Sequence, residues 1–416
     1  MTIFTRMLTH PLRLYKNAYS GLNKESWYLA VVMFINRSGT MVLPFMTMYC
    51  TQQLHFTIAQ AGLVMAMFGA GSIAGAFIGG RLTDKFGFYS VQTGSLLIGG
   101  VLFIGVRFLS TLPVLCAGSF LLSLCNDAFR PANSAAVARY SSVENRTRSY
   151  SLNRLAINLG WAAGGSVGGL VASVNYHLLF WVDGITNIAA AFLMLWMLPP
   201  VKEIIKQPTI NAGPSKGSAY RDRHYLIFIA LTTCFAVCFF QNFTMLPVFF
   251  KTQWHLNEKM IGLLMACNGI IIVLFEMVII HRLEGRKAHL SYVKYGVFVC
   301  GISFAILNFF PSGVFTAFIS ICLISMGEML SMPFMNSFWI VRTTEHNRGE
   351  YAALYTIAWS IAQIIAPLLG SLIVYLYGYD LLWWLITAMC ATTSINYLFL
   401  NNFISKTKSR TGAGSR

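Results

Sequence analysis

Twelve stretches, each long and apolar enough to cross a lipid bilayer, occupy most of this chain. They cover roughly 26–51, 58–80, 91–111, 113–138, 151–174, 178–199, 225–250, 258–281, 290–310, 313–341, 351–376 and 380–403. A helix needs about 20 apolar residues to cross the hydrocarbon core. With 56% hydrophobic and only 11% charged residues and a mean hydropathy of +0.61, the 416-residue chain is too apolar for a water-soluble domain. It is therefore predicted to be an all-α membrane protein of twelve transmembrane helices. The first 25 residues hold Arg6, Arg13, Lys16 and Lys24 and no apolar cleavable segment, and read as a basic arm on the membrane surface.

The formal charge of +16 raises the question of a nucleic-acid partner, and the placement of the charges answers it. Most Lys and Arg residues lie in the termini and in the loops after even-numbered spans, whereas the odd-numbered loops hold only Lys251, Lys259 and Arg107. That asymmetry is a topology signal and predicts a multi-pass protein of the cytoplasmic (inner) membrane with both termini in the cytoplasm. Nucleic acid is not an expected partner. Nine cysteines are scattered through apolar segments without a C-x-x-C or a Cys/His cluster, so neither a disulfide framework nor a metal site is expected.

A polar segment at 201–223 divides the chain into a basic arm (1–25), a first six-helix bundle (26–200), a cytoplasmic linker (201–223), a second bundle (224–404) and a tail (405–416) taken to be flexible. The halves match at a constant separation of 202 residues: Pro131 falls on Pro333, Arg146 on Arg348, Leu152 on Leu354 and Gly168 on Gly370. The surrounding Val143-Glu144-Asn145-Arg146 matches Glu345-His346-Asn347-Arg348. Leu43-Pro44 and Leu246-Pro247 echo each other, each followed by a loop with a histidine, His55 or His255, and then a Gly-Leu pair. Duplicated halves place substrate and ion sites at their interface near the midplane.

Several motifs carry a family resemblance. Gly80-Arg81-Leu82-Thr83-Asp84-Lys85-Phe86-Gly87 resembles the loop signature of the major facilitator superfamily, without its downstream basic pair, which is Phe88-Tyr89 here. Gly80 and Gly87 are expected to permit a tight turn, and Asp84 to cap a helix or pair with a cation, so these residues and Lys85 are assigned to gating. The fifth span, with Gly160, Gly164, Gly165, Gly168 and Gly169, resembles the glycine motif of the antiporters in this superfamily, with Gly165 at the proline position. Its counterpart in the eleventh span keeps Pro367. Gly164, Gly165, Gly168 and Pro367 are read as sites of helix packing and bending. Arg130 resembles the in-span arginine of the fourth-helix motif. Gly327-Glu328 with Pro333 resembles the acidic tenth-helix motif of proton-driven multidrug antiporters. The resemblance covers nearly all of the chain and implies two pseudo-symmetric six-helix bundles, the major facilitator fold.

Ionisable residues inside a membrane default to functional candidates because burying them is costly. Glu328 lies deep in its span with no basic residue three or four positions away, and is the foremost proton-coupling candidate. Asp127 and Arg130 share a helix face, either as a pair that a proton or substrate opens or as a static lock. The offset puts Glu328 opposite Asn126, beside Asp127, so the two carboxyls are expected to approach each other. Arg37 either binds an anionic group of a substrate or neutralises one of these acids. Asn36, Asn126, Arg130 and Asn133 complete the expected substrate contacts. Arg154 and Asn158 are assigned to gate or interface structure, while Glu276, within reach of water and Arg282, and Asp183, near the start of the sixth span, are the weaker candidates.

These features predict a secondary transporter working by alternating access, a proton-coupled exporter of a drug-like organic solute. The alternative is a proton-coupled importer of an anionic solute such as a peptide or siderophore, and a lesser one a non-transporting sensor. No Walker-type loop is present, no nucleophile and base converge, and no cofactor beyond the proton gradient is expected. The chain is expected to act as a monomer, with the substrate, protons and the bilayer as its partners.

Overall fold

The computed structural model describes residues 21–142, 146–200, 218–283, 285–343 and 348–413. The basic arm, most of the linker, the end of the tail and the matched segments 143–145 and 345–347 lie outside the described residues. Twelve spanning helices follow in order: α1 Lys24–Gln53, α2 Ile58–Phe86, α3 Phe88–Val106, α4 Leu112–Tyr140, α5 Arg146–Val174, α6 His177–Met197, α7 Arg223–Thr252, α8 Glu258–Leu283, α9 His289–Phe309, α10 Val314–Arg342, α11 Arg348–Tyr377 and α12 Tyr379–Ala413. The tail up to Ala413 continues α12 as helix, since neither Pro nor Gly interrupts the chain before Gly412.

Three helices are broken, each near a proline that leaves the carbonyl four residues earlier without a donor. In α1, Ser38 ends one segment and Val42 begins the next, two residues before Pro44. In α4 the break falls at Ala128, ahead of Pro131, and in α7 at Met245, ahead of Pro247. Pro333 and Pro367 instead lie inside continuous helices.

The internal duplication has a local structural counterpart. His55 and His255 both adopt left-handed backbone, φ 55° and 52°. Each is followed by an N–H donated back across the turn at 2.9 Å, Phe56 to the Cys50 carbonyl and Leu256 to that of Phe250. Thr57 and Asn257 then accept the backbone N–H of Gln60 and Met260 at the starts of α2 and α8.

The bundles α1–α6 and α7–α12 meet along α2 against α11 and α5 against α8. Close approach needs glycine: a Cβ at Gly69 would lie 2.8 Å from the Gln363 carbonyl oxygen, the one Pro367 leaves unpaired. A Cβ at Gly169 would lie 2.7 Å from the Gly262 Cα. These contacts close the end of the molecule away from the termini. Toward the end bearing the termini, residues Phe129–Tyr140 of α4 and α10 have no extended packing between them among the described residues, and the structure is open on that side. Side chains such as Trp196, Val174 and Phe315 are largely exposed on the outer surface, as a lipid-facing wall requires.

Candidate functional site: a central cavity with one acid

Between the bundles lies a cavity of about 240 Å³. Its walls are Ile157, Asn158, Trp161 and Gly165 of α5, Phe239, Asn242 and Phe243 of α7, Met265, Asn268, Gly269 and Ile272 of α8, and Ile321 and Glu328 of α10, with Pro44 of the broken α1. Trp161 and Phe243 approach across the bundle interface, with ring centroids 5.6 Å apart. Glu328 is the single ionisable residue in this lining, and its Oε2 is buried with no hydrogen-bond partner among the described residues. Asn268 lies beside the carboxyl, and its amide donates to Ser325 Oγ at 2.9 Å.

Below the cavity, on the open side, Arg154 of α5 reaches across to Glu276 of α8 and forms an ion pair. The expected partners of Glu276, water and Arg282, are therefore replaced by a cross-bundle arginine: Glu276 is 7% exposed and faces α5, not the helix end. At the closed end a second cross-bundle contact forms, where the Tyr176 hydroxyl donates to Glu258 at 2.8 Å and Lys251 pairs with the same carboxylate at 2.7 Å.

The remaining charged candidates belong to the first bundle. Asp127 is 2% exposed and pairs with Arg130 at 2.6 Å. Arg37 is buried, its Nε has no hydrogen-bond partner among the described residues, and the charges of Arg130 and Asp127 both reach it. Asn36 donates to Asn187 at 2.8 Å, Asn133 accepts from Gln92 at 3.3 Å, and Asn126 lies against Gly99 of α3. Arg37, Asn36 and Asn133 are thus buried in the bundle, the Arg130 side chain is exposed, and none of these residues nor Asn126 lines the cavity. The expected meeting of Asp127 with Glu328 also fails: the charges that reach Glu328 are Glu276 and Arg154. Pseudo-symmetry places both acids at similar depth, but on helix faces that point to different neighbours.

Asp183, a weaker candidate in the sequence, has a structural role. Fully buried, it accepts the N–H of Met41 at 3.0 Å and of Val42 at 2.8 Å, and so satisfies the donors exposed where α1 breaks.

The family model of the Major Facilitator Superfamily matches residues 28–365. The chain belongs to this superfamily. It resembles a Na(+), Li(+), K(+)/H(+) antiporter of Planococcus maritimus, 23% identical over 80% of this chain and 86% of that protein. It also resembles the class B tetracycline resistance protein of Escherichia coli, 22% identical over 78% of this chain and 80% of that protein. Among solved structures, a peptide transporter superposes with a TM-score of 0.77 at 16% identity, covering 93% of this chain and 96% of the other. The protein is therefore a multi-pass membrane transporter and not an enzyme, with the major facilitator fold.

Two signatures of a major facilitator transporter look different in three dimensions. Gly80 lies inside α2, which continues to Phe86, so the turn rests on Gly87 alone, with φ 82°. Asp84 is exposed in the last turn of α2 beside Lys85 and caps no helix, because α3 starts directly after Gly87. In α5 the glycines divide between two faces. Gly164 and Gly168 pack on α1 of their own bundle, while Gly165 meets Met265 and Ala266 across the interface.

Proposed function

We propose that this transporter exports a positively charged, drug-like organic solute in exchange for protons, with Glu328 binding each in turn. The observation that carries the reading is a single carboxyl, with no ion pair among the described residues and one oxygen without a hydrogen bond, in a cavity walled by Trp161, Phe239 and Phe243. Aromatic faces attract cations, the three asparagines offer hydrogen bonds, and a single acid can hold a proton or a cation but not both. The antiporter and resistance protein among the relatives support the direction. Asp127, with Arg130 and Arg37, serves as a second, more remote protonatable group, and Asn36, Asn126 and Asn133 hold that bundle in register. The basic end faces the cytoplasm across the inner membrane, so the open side is the cytoplasmic one, and the chain acts as a monomer.

The test is transport of tetraphenylphosphonium in reconstituted vesicles with an imposed pH gradient. Glu328→Gln should abolish gradient-driven exchange, whereas Asp127→Asn should only slow it. Full transport by Glu328→Gln would sink the assignment. A second reading draws on Arg37, a buried cation without an ion pair among the described residues. Proton-driven uptake of a labelled anionic dipeptide, lost on Arg37→Ala, would replace export with import.

A further inference from the structure

At the closed end of the second bundle, the end of α7, the turn between α9 and α10 and the start of α12 enclose a second cavity, of about 330 Å³. Asp380 and Trp384, one turn apart on α12, line it together with Phe249 and Gln253, one turn apart at the end of α7. Trp254, Leu307, Asn308 and Ser312 complete the wall. No residue is shared with the central cavity, so this is a separate site.

Its free capacity is that of an acceptor. Asp380 is exposed and in no ion pair among the described residues, whereas Glu258, the other acid at this end of the bundle, is taken by Lys251 and Tyr176. The Asn308 amide nitrogen already donates to the Asp380 carbonyl at 2.9 Å, and its Oδ1 is buried with no hydrogen-bond partner among the described residues. A carboxylate, an amide oxygen and the rings of Phe249, Trp254 and Trp384 all favour a cation. Gln253 and Ser312 add donors that suit an anionic oxygen.

The position of the cavity narrows the ligand. Trp384 packs edge to face on Phe309, with ring centroids 4.9 Å apart, and both rings are exposed on the outer wall beside Phe310, Phe315 and Leu381. Such a belt of aromatic rings lies at the level of lipid headgroups. We propose that this cavity binds the headgroup of phosphatidylethanolamine from the leaflet at the closed end, with Asp380 receiving the primary ammonium and Gln253 and Ser312 the phosphodiester. An anionic headgroup without an amine would bring its phosphate beside the Asp380 carboxylate with no cation to offset it. A soluble amine would meet the same polar wall but gain nothing from Phe309, Phe315 and Leu381, along which acyl chains lie.

The test is native mass spectrometry of the full-length protein, purified in detergent, stripped of lipid and offered equal amounts of phosphatidylethanolamine and phosphatidylglycerol with the same chains. For the first lipid bound, wild type should prefer phosphatidylethanolamine at least about fivefold, as an exposed charge contact with aromatic support allows. Asp380→Asn removes the counter-charge and Gln253→Lys places a competing cation in the cavity, and each should bring the ratio below about twofold. Both positions are exposed, and the two variants act on different helices, so a folding failure of one leaves the other to decide. A wild-type ratio near one, or a preference that survives both substitutions, would overturn the proposal. Glycerophosphoethanolamine, the same head without chains, should not displace the lipid even in excess; displacement would make the ligand a free solute and sink the lipid assignment. Displacement by tetraphenylphosphonium would likewise turn the cavity into a solute site. None of these readings depends on proton exchange at Glu328.

Discussion

In the first bundle the buried acids are tied down, Asp183 by backbone N–H groups at the break in α1 and Asp127 by Arg130. In the second bundle the side-chain tie beside the break in α7 is neutral and of another kind: Gln241 of α7 donates to the Ala366 carbonyl of α11 at 2.7 Å and accepts from Thr244 at 3.2 Å. Of the two buried acids of that bundle, Glu276 pairs with Arg154 of the other half and Glu328 is left facing a cavity. Two halves with one backbone plan have therefore diverged in the use of charge. In one half both buried acids are tied within the bundle, and in the other Glu328 is left without an ion pair among the described residues. The lesson is that an intramembrane acid is not functional by depth alone; what matters is whether its oxygens are already satisfied.

That contrast can be broken experimentally. The largest expected effect is on Asp183. Asp183→Ala strands the Met41 and Val42 N–H groups in an apolar interior and should cost at least about 3 kcal/mol, whereas Gln241→Leu should cost only about 1 kcal/mol. Thermal melting in detergent checks both, and equal losses would erase the distinction between the bundles. Next comes the closed end. Gly169→Val drives a side chain into α8, where even a Cβ would lie 2.5 Å from the Glu258 carbonyl oxygen. Overpacking of roughly 1–3 kcal/mol should shift the population toward opening at that end about tenfold. Accessibility of a cysteine placed at Gln253 to a membrane-impermeant maleimide reports the shift.

The smallest expected effect sharpens the comparison at the membrane surface, where Asp222 ties the second bundle's entry to Arg342 of α10 at 2.7 Å and to the Tyr351 hydroxyl at 3.0 Å. Burial alone would push the Asp222 carboxyl up, but the hydrogen bonds from Arg342, the Tyr225 N–H and Tyr351 outweigh it and hold it below the usual aspartate range. A carboxyl lowered in the folded state contributes stability above its unfolded pKa, and that stability is lost as the pH falls through the folded value. Melting temperature should therefore drop on acidification through and below the ordinary aspartate range. Asp222→Asn should remove that part of the pH dependence at a cost of about 1 kcal/mol at neutral pH. An unchanged pH profile would mean that the contact is not populated.

Much of the architecture was legible in the chain. Spanning helices announce themselves by length and hydropathy, and the duplicated plan by matched residues such as Pro131 and Pro333. Glu328 also stood out, since no basic neighbour lies a helical turn away. The partner of Glu276 did not, because Arg154 is 122 residues distant and on another bundle. Nor did the work of Asp183, whose acceptors serve a break 142 residues away in sequence. The hint for Asp183 lay in the break itself, which leaves N–H groups in need of an acceptor.

Hydropathy and motifs, read from the sequence alone, determine that this chain lies in a membrane, how many times it crosses and which superfamily it resembles. These are local properties, set by the transfer of side chains into lipid and by short runs of residues. Only the tertiary structure decided which charges meet. In a soluble helix the apolar face marks the core, but here lipid and protein interior are both apolar, so periodicity does not reveal which way a helix is turned. Rotation of α5 and α8 about their own axes brings Arg154 to Glu276, and that of α10 leaves Glu328 alone in the cavity.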